Sequence, residues 1–223
     1  MIVWVGDDAS TVAALPVWFD VSVMAVNGLL GAAIARSRNA PIYGTLFAAV
    51  LVGLGGGMVR DMLLGQEPVA ISQPVYIPAV LLGGVIGSLF FGRVLRRPST
   101  FALTQGIVTG FLVTIGAQKA LDADTPIISA IALGVVTASF GGILADVMAG
   151  YRATVARQAH WIASALVAGS AVFVLISLWV GFWPAVIAGV AVASTLRYVS
   201  QIRNWPSPRW PGESLSTPDT PAS

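Results

Sequence analysis

Leu54-Gly55-Gly56-Gly57-Met58-Val59-Arg60-Asp61-Met62-Leu63-Leu64-Gly65 is the stretch on which the reading of this chain turns. Three consecutive glycines and an adjacent arginine and aspartate interrupt an otherwise apolar run. Each interior glycine weakens a helix by about 1 kcal/mol relative to alanine. An arginine or aspartate near the centre of a bilayer costs about 2.5–3.5 kcal/mol on insertion scales. A sequence that carries both burdens at one place has weakened a membrane helix and charged it at depth.

The rest of the composition puts that helix in a membrane. Of 223 residues, 56% are hydrophobic and only 10% are charged, against about 25% charged in soluble domains. So few charges cannot cover a water-facing surface, and the chain is read as an all-α integral membrane protein. No basic residue precedes Asp7 and Asp8, so a signal-peptide pattern is not expected. The absence of cysteine excludes disulfides, thiolate metal sites and cysteine nucleophiles. A single histidine, His160, excludes a multi-histidine metal site within one chain. His160 is read as an interfacial residue, although its imidazole could titrate near neutrality.

Seven segments are long and apolar enough to span: 16–35, 41–64, 75–94, 101–119, 126–149, 158–178 and 182–198. Ten of the twelve basic residues fall on one side of this alternation, and only Arg60 and Lys119 fall towards the other. The positive-inside rule then places the N-terminus outside and the C-terminus in the cytoplasm of a cell (inner) membrane. Trp179 and Trp183 suit interfacial anchoring.

A shift of 85 residues superimposes Gly31 on Gly116, Pro41 on Pro126 and Gly56-Gly57 on Gly141-Gly142. The same shift superimposes Asp61 on Asp146, Gly65 on Gly150 and Gly84 on Gly169. Three spans per unit is an odd number, so the second unit enters the membrane inverted, as in many transport proteins. The expected organisation is an extracytoplasmic segment over 1–15, a first three-helix repeat over 16–98 and a second, inverted repeat over 99–180. A peripheral seventh helix over 181–200 and a disordered, Pro/Ser/Thr-rich cytoplasmic tail over 201–223 complete it.

Breaks at Gly55–Gly57 and Gly141-Gly142 would free carbonyls of the preceding turns, which must then face protein or water. Two such breaks outline a polar path suited to cations. The simpler role for the glycines is close helix packing. Asp61, Asp146 and Asp20 would lend the path negative potential, and Asn27, Thr104, Gln105, Thr109 and Thr114 would add neutral polar groups. Such threonines commonly bond back to their own helix. Arg60 and Asp61, about 100° apart on the helix, are not expected to pair with each other. Asp20, at similar depth on span one, is the expected partner of Arg60; the alternative is that both snorkel to headgroups. The two repeats differ, with Gln105 in place of Asp20 and Ala145 in place of Arg60. Lys119 is either a cation blocking the outer end or a loop-facing lysine. No catalytic triad, phosphate-binding loop or metal cluster is legible, so the chain is read as no enzyme and as needing no cofactor.

The inverted repeats, the seventh span and the Gly-Gly-Gly-x-x-Arg-Asp-x-Leu-Leu-Gly pattern at 55–65 resemble prokaryotic members of the trimeric intracellular cation (TRIC) channels. The resemblance covers about residues 16–200 and is closest in the first repeat. It implies a homotrimer with one pore per subunit, spans two and five kinked at their glycines, and passage of K⁺ and Na⁺. On that reading Gly55, Gly56, Gly57, Arg60, Asp61, Gly141, Gly142, Asp146, Asp20, Asn27, Gln105 and Lys119 form the ion path, with no fixed metal. A rival reading is a secondary transporter for glycine or another small zwitterion, its carboxylate at a half-helix N-terminus after Gly57 and its ammonium near an aspartate.

Overall fold

The computed structural model describes residues 16–94, 98–148 and 162–203. Within them the chain is helical throughout. The helices are α1 (Val17–Ser37), α2 (Ile42–Leu63), α3 (Val69–Ser72), α4 (Tyr76–Val94), α5 (Pro98–Asp122), α6 (Ile127–Met148), α7 (Ile162–Trp179) and α8 (Phe182–Ile202). Six of them are long and apolar enough to cross a membrane, and α4 adds a shorter apolar stretch, Tyr76–Phe90. With the short α3 set aside, this gives the seven expected spans. The expected segments at 1–15 and beyond 203, and His160, lie outside the described residues. Trp179 and Trp183 are exposed, as interfacial anchors require.

The repeat holds down to single hydrogen bonds. α1 ends with Asn39 in the left-handed region (φ 60°), and α5 ends 85 residues later with Asp124 at φ 54°. In each turn the next amide reaches back over the helix end, from Ala40 to the Ala35 carbonyl (3.1 Å) and from Thr125 to Ala120 (3.2 Å). This is the Schellman-type closure that satisfies terminal carbonyls. Pro41 and Pro126 follow, each one residue before the next helix, where the missing N–H costs little.

α2 and α6 are continuous helices, so the expected breaks at the glycines do not form. The glycines instead let the two repeats meet backbone to backbone. A Cβ on Gly56 would collide with the Thr137 carbonyl of α6, and one on Gly141 would lie 2.7 Å from the Val52 carbonyl. One on Gly55 would lie 3.3 Å from the Gly141 Cα. Small residues that allow such approach supply membrane helix association through packing, because lipid offers no hydrophobic drive between helices. Gly142 is different: nothing lies within 4 Å of the position its Cβ would occupy.

α8 stands outside the two repeats, as expected, and lies against α5 and α7. Gly106 and Gly110 of α5 approach Ser194 and Val190, and Gly169 of α7 approaches Ala193. This contact carries the last turns of α8, with Arg197 and Gln201, to the inside of the protein.

Gly56→Ala should therefore destabilise the protein by about 1–3 kcal/mol, the range for overpacking. Gly142→Ala, with room for its methyl, should lie within about 0.5 kcal/mol of wild type. Thermal unfolding of both variants in detergent checks the contrast.

Candidate ion path and its two charged ends

Asp61 sits one helical turn beyond Gly57, with no exposed surface. Its Oδ1 accepts from Arg60 Nε at 2.8 Å and from Lys119 Nζ at 2.9 Å. Its Oδ2 accepts from the Val69 amide at 3.0 Å. Three donors, two of them cationic, satisfy a carboxylate that could not otherwise remain buried. Arg60 and Asp61 thus do pair, contrary to the sequence-based expectation. The arginine stem is long enough to wrap around the helix and present Nε rather than its terminal fork. Lys119 is not loop-facing either; it lies in the last turn of α5, which extends to Asp122.

The expected Asp20–Arg60 pair is absent. Asp20 Oδ2 accepts the Tyr76 hydroxyl at 2.7 Å, and Arg60 is engaged by its neighbour. Asp20 Oδ1 and Arg60 Nη1 are both buried without a hydrogen-bond partner. α3 and Tyr76 had no recognisable signature in the sequence. The α2–α4 connection gave no periodic pattern, yet it folds back to place the Val69 amide on Asp61.

At the other end of the α2–α6 crossing, Asp146 sits one turn beyond Gly142. Its Oδ1 accepts from Arg38 Nη1 at 2.9 Å. Asp146 thus takes its base from the turn after α1, as Asp61 takes Lys119 from the end of α5. The two ion pairs correspond under the repeat. Each acid, on the second helix of one repeat, binds a base at the C-terminal end of the first helix of the other. In both pairs the acid is buried while the basic side chain is 27% exposed.

The Asp146 end opens into a cavity of 810 Å³ between the repeats. Asn27, Gln105, Gly142, Asp146 and Arg38 line it, together with Arg197 and Gln201. Asn27 Nδ2 donates to the Val52 carbonyl at 2.5 Å, one of the carbonyls expected to need a partner near the glycines. Gln105 Oε1 accepts from Gln201 Nε2 at 3.0 Å. Thr104, Thr109 and Thr114 bond back to carbonyls of their own helix. The expected path residues therefore fall into three groups. Asn27, Gln105, Gly142 and Asp146 belong to the cavity, and Gly55, Gly56 and Gly141 to the crossing, with Gly57 beside it facing Met24 of α1. Arg60, Asp61 and Lys119 form an ion cluster beyond it, and Asp20 is held apart from them by Tyr76. Among the described residues no cluster of His, Cys, Asp and Glu is arranged to hold a metal.

Asp61→Asn would leave the fully buried Arg60 without a counter-charge, which costs about 3–5 kcal/mol. Asp146→Asn removes a counter-charge from the partly exposed Arg38 and should cost less, about 1 kcal/mol. Thermal unfolding in detergent should rank the two variants in that order.

This architecture recurs in known proteins. It superimposes on a structure described under conductance through TRIC cation channels with a TM-score of 0.78 at 24% identity, covering 89% of this chain and 98% of that one. The TRIC trimeric intracellular cation channel orthologue from Rhodobacter sphaeroides matches with a TM-score of 0.75 at 29% identity, over 84% and 97% of the two chains. In sequence, the inner membrane protein YadS of Escherichia coli is 28% identical over 134 residues, 59% of this chain; the match spans 65% of YadS. A membrane protein of Deinococcus radiodurans is 26% identical over 84% of this chain and 88% of its own length. The family profile described as glycine transporter matches residues 17–91 and again 102–177, one match per repeat. The chain therefore belongs to that family of multi-pass membrane proteins, and its fold is that of the prokaryotic TRIC channels.

Proposed function

We propose that this protein is a channel for monovalent cations, K⁺ and Na⁺, with a path inside each subunit between its two inverted bundles. The observation that carries the reading is the pair of repeat-related ion pairs, Asp146–Arg38 and Asp61–Lys119, one at each end of the α2–α6 crossing. In both, a desolvated carboxylate is capped by a partly exposed base. A cation entering the cavity replaces Arg38 at Asp146, passes the glycine crossing and replaces Lys119 at Asp61. Arg60 stays on Asp61 and keeps that end from holding a cation too tightly, since conduction needs sites that release as well as bind. The likeness to cation channels of the same fold supports this reading. It extends to a homotrimer in the inner membrane, with the N-terminus outside and the Arg38–Asp146 end towards the cytoplasm.

A second reading, secondary transport of glycine or another small zwitterion, is favoured by the description of the family. Reconstitution into planar bilayers separates the two. Unitary currents reversing near the K⁺ potential in a KCl gradient are expected, and Lys119→Gln should raise their open probability several-fold. Saturable glycine uptake into liposomes without unitary currents would reject the channel.

A further inference from the structure

Arg197 has no role in either ion pair. It lies on α8, is 8% exposed and lines the 810 Å³ cavity. Its Nε is buried without a hydrogen-bond partner, and no acidic side chain pairs with it among the described residues. A guanidinium keeps its charge in proteins, so this cation is desolvated and uncompensated, a state that costs several kcal/mol. One turn further along α8, Gln201 spends its amide nitrogen on Gln105 and leaves Oε1 buried and unpartnered. Exchanging the amide's oxygen and nitrogen would not help, because the other half would then be left over. Two neighbouring polar groups on the wall of one cavity thus lack partners among the described residues.

We infer that Arg197 and Gln201 form a binding site for a small monocarboxylate in this cavity. The charge balance selects an anion. Among the described residues that line the cavity, Arg38 and Asp146 carry opposite charges in an ion pair and Arg197 carries the remaining positive charge. A monoanion neutralises it, whereas a zwitterion would leave it in place. The planar guanidinium fork selects a carboxylate over a spherical halide, because two parallel N–H···O bonds form at once. The Gln105–Gln201 amide pair supplies a further polar contact at the edge of the site. Phe101, Ile162 and Ala138 on the remaining wall suit a short alkyl chain. On the channel reading proposed above, the bound anion has a consequence for permeation. It cancels the one uncompensated positive charge in the cavity and so raises cation occupancy there.

Binding is tested without reference to transport, by thermal unfolding in detergent with propionate exchanged for chloride at constant ionic strength. The wild-type midpoint should rise saturably, by about 3 °C or more at saturation. Arg197→Met should show no rise, and in chloride alone it should unfold above wild type, because the uncompensated charge is gone. Arg197→Lys, which keeps the charge without the fork, should respond weakly. A flat wild-type titration would overturn the site, as would an equal response in Arg197→Met or a larger one to phosphate or chloride. In bilayers, propionate on the side of the Arg38–Asp146 end should raise K⁺ current at least two-fold in wild type and leave Arg197→Met unchanged. A saturable midpoint shift with no change in current would uphold the carboxylate site and overturn its effect on permeation. Absence of any K⁺ current would count against the channel reading alone.

Discussion

The structure depends on the contact between α2 and α6, where two helices from opposite repeats touch through their backbones. Gly56 lies against the Thr137 carbonyl, and Gly141 lies against the carbonyls of Leu51 and Val52. Helices held this close at one point must diverge on either side of it, since side chains return and push them apart. Asp61 follows Gly57 by one turn and Asp146 follows Gly142 by one turn. Each acid therefore lies just past the crossing, Asp146 on the cavity wall and Asp61 in the buried ion cluster. There it meets a base from the first helix of the other repeat. The glycines and the acids are one device, and the 85-residue offset places it twice.

Much of this was legible because it is written in backbone periodicity. The seven spans and the repeat follow from apolar length and from positions where glycine and proline fall. The agreement reaches the turns at Asn39 and Asp124, which share a left-handed φ and the same hydrogen bonds. The glycine clusters announced a special place on α2 and α6, but not which kind. A helix break and a close crossing both call for residues without side chains, and the partner helix that distinguishes them lies some 80 residues away in the chain.

The pairing of charges was less legible, for a geometric reason. Helical spacing fixes where a Cα points, whereas arginine and lysine end several ångströms further on. Arg60 reaches the adjacent Asp61 although their Cα directions diverge, and Arg38 reaches Asp146 from the turn after α1. Depth along the helix placed Asp20 near Arg60, but depth says nothing of Tyr76, which takes Asp20 from the start of α4. Arg197 gave no signal because its i+4 neighbour is a glutamine and its distance from the end of α8 suits an interfacial arginine equally well. Only the packing of α8 on α5 and α7 turns it inward.

The form of the two ion pairs bears on which ion the path would favour. A buried carboxylate holding one basic side chain can exchange that base for a cation of equal charge with little change in local electrostatics. The base, already partly exposed, recovers hydration as it leaves, while the arriving ion surrenders some of its own. A divalent cation breaks this balance. At Asp61 it would add to the fixed charge of Arg60 and leave the buried cluster more positive than before. It would also shed a larger hydration energy, with one carboxylate to compensate. At Asp146 it would meet an already positive cavity wall at Arg197. On the proposed channel reading, exchange of one base for one monovalent cation leaves the charge at each acid unchanged, and Arg60 strengthens that preference at Asp61.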